Sequence, residues 1–259
     1  MKKLNLLVVL FLISVASFGQ QTKVTQKPVS PKLQSLNSIL SISAFDKTQW
    51  SLYGKYKKEE YAPIEAKKVT ERIDTFLLGG PEDVIGGVSE FNLVKKYRKN
   101  MDTLFQEFTI LGGSQLGEFF CTGDKPIRFC MKGDTALTLI VTGVFIDAVY
   151  NTLVLTSRER AARIITTYLI PELANFTKAF PGKEIKYFGI SATYGSRDFS
   201  DKYSTDAEFV SIVSPVRLIK KYSSGNLTED GLALLSDVYV SDRDMSYGDG
   251  VKKIKITIQ

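Results

Sequence analysis

The side chains that could do chemistry gather in two acidic clusters. The first runs from Tyr194 to Asp201, with Asp206 and Glu208 beyond it, and places Asp198 and Asp201 where a predicted strand leaves the sheet. Paired carboxylates act as acid and base in glycoside cleavage when they are held at the required separation. The alternative, which we favour, is a turn whose Asp and Ser side chains bond their own backbone. Asp198 and Asp201 are therefore the candidate catalytic residues.

The second cluster contains Asp242, Asp244 and Asp249. Alternating oxygen ligands of this kind can hold Ca²⁺, and the spacing begins like an EF-hand loop. The spacing then departs from that loop, because Tyr247 stands at the glycine position and no glutamate closes the segment. These three residues are candidate metal ligands, and a turn joining two strands is the favoured interpretation.

The composition excludes several kinds of active site. The 259 residues include no histidine, which rules out Ser-His-Asp and Cys-His nucleophilic sites and His-ligated zinc or haem. The chain also lacks a P-loop, a Gly-x-Ser-x-Gly elbow, a Gly-x-Gly-x-x-Gly turn and a Ser-x-x-Lys motif. We therefore expect no cofactor, and we favour a protein without enzymatic activity.

The N-terminus has the plan of a secretory signal peptide. Two lysines precede an apolar run from Leu6 to Val15, and the small residues Ser17 and Gly19 precede Gln20. The run is shorter than the roughly 20 apolar residues that a membrane span needs. We expect removal of residues 1–19 after Gly19, no transmembrane span, and an extracytoplasmic location, either periplasmic or secreted.

Two cysteines, Cys121 and Cys130, flank a segment rich in turn residues. Exported chains meet an oxidising compartment, where an even pair of cysteines normally cross-links. Gly123-Asp124 and Lys125-Pro126 favour folding this segment back on itself, which would bring the two sulfurs together. The sequence therefore predicts a Cys121–Cys130 disulfide, with two free buried thiols as the alternative.

The apolar spacing predicts a mixed fold. A 3.6-residue period favours helices over residues 33–44, 63–77, 88–105 and 156–176. Strand-like runs occupy residues 116–121, 127–131, 135–145, 185–194, 209–221, 232–240 and 251–258. Strands outnumber helices, and most connections have hairpin length. We expect an α+β fold with a mainly antiparallel sheet and three to four helices in a single compact domain.

The expected organisation has three parts. Residues 20–32 are mostly polar, contain two prolines, and are typical of a flexible leader. Residues 33–259 form the α+β domain. A division near residue 106, into a helical N-terminal part and a sheet-rich C-terminal part, remains an alternative.

These features support one leading hypothesis about function. It is an exported, non-catalytic binding or envelope-associated protein, whose partner is an envelope protein or a small ligand. Removal of residues 1–19 takes two lysines and no acidic residue from the net charge of +6, and the remaining charge of +4 is modest, so nucleic acid is not expected as a partner. One alternative is an extracytoplasmic hydrolase that acts on glycan through Asp198 and Asp201. Another is a structural component of an envelope assembly.

Overall fold

The structure is a computed structural model of the chain. It describes residues 33–45, 69–71, 73–74, 77, 87–109, 117–119, 126–203, 206–241 and 251–256. Several predicted features lie outside the described residues: the signal peptide and leader, the candidate metal ligands at residues 242–249, and Cys121. The described ranges belong to one compact unit, Pro31–Gln259, and position 106 lies inside a helix.

The described residues form seven α-helices and one seven-stranded sheet. The helices are α1 (Leu36–Phe45), α2 (Gly87–Lys96), α3 (Arg98–Glu107), α4 (Ser157–Ile164), α5 (Ile170–Ala179), α6 (Val216–Ser223) and α7 (Glu229–Leu235). The strands are β1 (Gly117–Phe119), β2 (Ile127–Lys132), β3 (Ala136–Asn151), β4 (Tyr187–Arg197), β5 (Asp206–Pro215), β6 (Asp237–Ser241) and β7 (Lys252–Ile254). This mixture is consistent with the predicted α+β class.

The number of helices exceeds the predicted three to four for local reasons. The helix expected over residues 88–105 is divided at Tyr97 into α2 and α3, and α4 is separated from α5 by a π-helical turn, Ile165–Leu169. That turn ends two residues before Pro171, which lacks the N–H that a continuous helix needs. The strand expected over residues 209–221 ends at Pro215, and α6 begins at Val216.

The sheet has the order β1-β3-β4-β5-β6-β7, with β2 also paired to β3. Among the described strands, β3 and β4 are parallel and the other pairs are antiparallel. Parallel neighbours need a crossover connection, and α4, the π-helical turn and α5 provide it. Because β3 and β4 run in the same direction, both end at the same edge of the sheet, where Asn151 pairs with Arg197.

The core lies on both faces of this sheet. On one face α5 packs against β4, and the rings of Phe176 and Phe188 lie 5.0 Å apart between centroids. On the other face α1 buries Leu36, Ile39 and Leu40. None of the helices that the structure describes is long and apolar enough to cross a membrane.

The predicted disulfide is not found. Cys130 is a free thiol on β2, fully buried among the apolar side chains beneath α1, while Cys121 lies outside the described residues. Burial raises the pKa of the Cys130 thiol to about 12, and the nearby charge of Glu90 acts in the same direction. The thiol is therefore held in the core in its protonated form.

This burial predicts slow alkylation of Cys130 in the native protein. The Cys121→Ser variant isolates the thiol, and we expect it to react with iodoacetamide at mildly alkaline pH only after denaturant is added. Mass spectrometry of native and denatured samples measures the difference. Rapid labelling of the folded variant would show that Cys130 is accessible and would contradict its placement.

Asp237 joins three strands electrostatically. It pairs with Lys132 of β2, and its Oδ1 lies 2.5 Å from Nζ of Lys253 of β7. Burial raises the pKa of Asp237, but its hydrogen bonds to the two lysines outweigh burial and leave the pKa below its ordinary value. The ionised form is therefore favoured by folding.

The lowered pKa gives a pH-dependent prediction for the Asp237→Asn variant. A depressed folded-state pKa adds stability above the unfolded pKa of about 3.9, and this stability is lost as the pH falls through the folded value. At pH 7 we expect the variant to be about 1 kcal/mol less stable than the wild type. Urea unfolding at pH 7 and pH 3 measures this difference, which should shrink at the lower pH. An equal loss of unfolding free energy at pH 7 and pH 3 would contradict the prediction.

Candidate functional site

The candidate site lies where β3 and β4 end together. It consists of the turn Asn151–Thr156 and the loop Asp198–Tyr203, which we call the loop end. The Thr152 N–H donates to the Arg197 carbonyl at 2.9 Å, so the turn and the base of the loop are directly joined. Loops held at one edge of a sheet are common binding sites, because the strands fix their positions.

The candidate catalytic residues Asp198 and Asp201 both lie in this loop. Oδ1 of Asp198 accepts hydrogen bonds from the Ser200 N–H at 2.8 Å and the Ser200 hydroxyl at 2.6 Å. Oδ1 of Asp201 accepts from the Tyr203 N–H at 2.9 Å. Each carboxylate therefore closes a turn two residues long, which is the favoured interpretation from the sequence. This geometry orders the loop.

The Asn151–Thr156 turn is ordered in the same way. Oδ1 of Asn151 accepts from the Leu153 N–H at 3.0 Å. The Thr156 N–H donates to Glu159 at 2.7 Å, and the Thr156 hydroxyl accepts from the Glu159 N–H at 3.3 Å. This capping box begins α4 and confirms the helix start predicted from the sequence.

Large apolar side chains are exposed around the loop end. Five of the nine exposed large apolar residues in the described part of the chain lie here, and this concentration distinguishes the loop end from the remaining surface of the described residues. We call them the apolar patch, and with their exposed fractions they are Val149 (51%), Leu153 (65%), Val154 (72%), Phe199 (50%) and Tyr203 (75%).

Charges of both signs surround the apolar patch. The Arg197 guanidinium lies 4.7 Å from the Phe199 ring centroid, and the Lys202 ammonium lies 4.7 Å from that of Tyr203. Asp198 and Asp201 add carboxylates to the same loop. The surface therefore combines apolar and aromatic groups with a rim of mixed charge.

A buried polar network supports the loop end from below. Nε of Arg160, on α4, donates to Oε2 of Glu208, on β5, at 2.9 Å, and the Tyr194 hydroxyl donates to the same oxygen at 2.8 Å. Arg160 also donates to the Leu155 carbonyl. The Arg160 and Glu208 side chains are only 7% and 1% exposed. The network therefore ties the turn that carries Leu153 and Val154 to α4 and the sheet.

Tyr194 completes this network as a neutral donor. Burial raises the pKa of Tyr194 well above its ordinary value, and the charge of Glu208 raises it further. The Tyr150 ring packs edge-on against Tyr194, with centroids 5.9 Å apart. The phenol therefore keeps its proton over the physiological range of pH and donates a hydrogen bond to Glu208.

A second buried ion pair lies outside the loop end. Nε of Arg128, on β2, donates to Oε1 of Glu90, on α2, at 2.7 Å, and the Phe129 N–H donates to the same oxygen at 3.0 Å. Sequence reasoning missed both networks. Their partners are 38 and 48 residues apart, and no local motif marks such pairs.

Two further features bear on ligands. A cavity of about 10 Å³ lies between α1 and the sheet, lined in part by Ser43, Ser191, Thr193 and Phe209. That volume is room for about one water molecule. Among the described residues, no three His, Cys, Asp or Glu side chains are grouped to hold a metal ion. The candidate ligands Asp242, Asp244 and Asp249 lie outside that set.

Comparisons of the chain with protein-family models, with curated proteins and with solved structures found no match.

Proposed function

We propose that the protein is an exported, non-catalytic binding protein whose loop end docks a protein partner from the cell envelope. The observation that carries the proposal is the apolar patch. Monomeric proteins rarely expose a group of large apolar side chains, and such groups mark interaction sites. Covering them removes apolar surface from water, which is favourable by about 25 cal/mol per Å². The export signal predicted from the sequence supports the choice of compartment.

The chemistry of the patch favours a protein as the occupant. Aromatic and aliphatic side chains in the centre, with charged groups at the rim, are typical of protein interfaces. Phe199 and Tyr203 are the expected anchors, because large rings contribute most to binding when a partner buries them. The rim carries Arg197 and Lys202 together with Asp198 and Asp201, so it complements a partner with charges of both signs.

The loop end is also ordered before a partner arrives. Side-chain hydrogen bonds from Asn151, Asp198 and Asp201 close its turns, and Arg160 fixes Leu155 from below. A surface held in its binding conformation loses less conformational entropy on association. The buried network therefore contributes to affinity without touching the partner.

Site-specific cross-linking tests where the partner binds. A photoreactive residue replaces Phe199 in one variant and Leu234, an equally exposed apolar residue on α7, in a second. We expect one discrete cross-linked product from position 199 in envelope fractions and none from position 234. The product should disappear in the presence of excess unlabelled wild-type chain. Equal products from both positions would contradict docking at the loop end.

Glycan hydrolysis remains the second candidate function, because two carboxylates and two exposed rings share one loop. The Asp198→Asn and Asp201→Asn variants separate the candidates. If the carboxylates serve as acid and base, each variant abolishes glycan turnover by the purified chain. If they only order the loop, we expect no turnover by the wild type and partner binding weakened by less than about tenfold, since an amide oxygen still accepts the backbone hydrogen bond.

A further inference from the structure

Helix α6 presents a basic face at the end of the sheet opposite the loop end. Its exposed side chains Arg217, Lys220 and Lys221 occupy positions i, i+3 and i+4, which lie on one side of a helix. Leu218 and Ile219 are buried and attach the helix to the core. The 11 residues of β4 place this face roughly 35 Å from the loop end.

Two more lysines extend this surface. Lys183 and Lys186 are exposed in the segment before β4, and the Lys186 carbonyl accepts from the Val216 N–H at 3.0 Å. This bond sets the segment against the first residue of α6. We call the five cations the basic face, and they are Lys183, Lys186, Arg217, Lys220 and Lys221.

The described surroundings leave the basic face uncompensated. None of its five cations has an ion pair with any residue that the structure describes. Glu184 lies in the same segment, but it already pairs with Lys96 at 2.5 Å and accepts from the Tyr97 hydroxyl. Those two hydrogen bonds hold the pKa of Glu184 below its ordinary value. The nearby Asp237 is held by two lysines that do not belong to the face.

Other carboxylates lie at the margins of the basic face. Glu229 and Asp230 begin α7, where Glu229 approaches Tyr222 on the last turn of α6. Asp134 is exposed in the turn between β2 and β3. The middle of the face therefore stays positive, and a group of uncompensated cations attracts polyanions over a Debye length of about 10 Å.

We propose that the basic face binds the headgroup phosphates of an anionic phospholipid surface. Clusters of four to eight lysines and arginines are typical of such binding. The five side chains are long, exposed and spread over a helix and its neighbouring segment, which suits an array of phosphates better than a single phosphate ion. None of the exposed rings that the structure describes lies among them, whereas single-stranded nucleic acid is held by stacking on rings.

This arrangement gives the two ends of the molecule separate roles. With the basic face on the membrane, the loop end projects away from the lipid and stays accessible to a partner. The inference does not depend on the proposed docking at the apolar patch, because different residues carry it. Loss of either activity would leave the other unchanged.

Vesicle flotation tests the proposal with a matched pair of charge variants. The test variant is Arg217→Gln with Lys221→Gln, and the control is Arg158→Gln with Arg163→Gln, which removes two cations from exposed positions on α4. Like the test pair, these two form no salt bridge with any residue that the structure describes. Both variants keep the same N-terminus, so any contribution of residues 1–19 cancels. The vesicles are phosphatidylcholine alone or phosphatidylcholine with about one third phosphatidylglycerol.

We expect the wild type to bind only the vesicles that contain phosphatidylglycerol, at low ionic strength. Each cation near an anionic surface contributes about fivefold to the vesicle affinity. The test variant should therefore bind about 10- to 25-fold more weakly than the wild type, and the control should bind less than about threefold more weakly. Equal losses in both variants would show a net-charge effect and overturn the proposal. Displacement by inorganic phosphate, or tighter binding to a single-stranded oligonucleotide than to the vesicles, would also overturn it.

Discussion

The Glu208→Ala variant is expected to lose about 3–5 kcal/mol of unfolding free energy, because it leaves the Arg160 guanidinium buried without its partner. It also removes the acceptor of the buried Tyr194 hydroxyl. Equilibrium urea unfolding of the wild type and variant measures the loss. At the upper end, this is a large fraction of the stability of an ordinary domain, so the variant protein should be purified and unfolded at low temperature.

A triple variant shows whether the stability loss of Glu208→Ala comes from polar groups that are left buried without a partner. Arg160→Met, Tyr194→Phe and Glu208→Leu together replace the network with apolar side chains of similar size. Such replacements of buried ion pairs are often neutral or stabilising. We expect the triple variant to recover most of the stability lost by Glu208→Ala. If the triple variant is the less stable of the two, the account of Arg160 as an orphaned charge is wrong.

The Glu90→Ala variant should also cost about 3–5 kcal/mol. Glu90 is 1% exposed and accepts from both the Arg128 side chain and the Phe129 N–H, so its removal orphans a buried charge and a buried backbone donor. The Glu90–Arg128 pair is a buried ionic link between α2 and β2. In the Glu90→Ala variant, hydrogen exchange of the backbone amides should therefore accelerate more in α2 than in β5.

Glu107 on α3 provides the matched control for Glu90. It pairs with Lys178 at 2.9 Å, but both side chains are largely exposed, at 44% and 59%. Exposed pairs contribute at most about 1 kcal/mol. Glu107→Ala should therefore cost much less than Glu90→Ala in the same urea series. Similar losses in the two variants would show that burial does not set the contribution of the Glu90 pair.

Local sequence signals predicted the features that depend on neighbouring residues. The helix predicted over residues 156–176 begins at the capping box of Thr156 and Glu159, whose two partners lie within one helical turn. Pro171 lies inside the helix predicted over residues 156–176, and the structure places a π-helical turn shortly before it. Asp198 and Asp201 were recognised as turn residues, and the side chains of both bond the backbone two residues further along.

The features that sequence reasoning missed depend on long-range contacts. Nothing near Glu208 indicates that Arg160 will lie beside it, because only the β3–α4–α5–β4 crossover and the β4–β5 pairing bring them together. Val149, Leu153 and Val154 continue the apolar composition of β3, and the pattern does not tell whether such residues are buried. The apolar patch was therefore visible only after folding brought these residues to the same edge of the sheet as Phe199 and Tyr203.

The affinity of the cross-linked envelope partner, once purified, shows whether it docks on the apolar patch. Leu153→Ser with Val154→Ser removes two of the exposed side chains of the apolar patch, and Leu234→Ser with Leu235→Ser removes a pair on α7 that is also more than half exposed. We predict that the first variant binds the partner about 30-fold more weakly, because two large apolar side chains are no longer buried against it, and that the second binds like the wild type. Unchanged affinity in the first variant, or an equal loss in both, would contradict docking at the loop end.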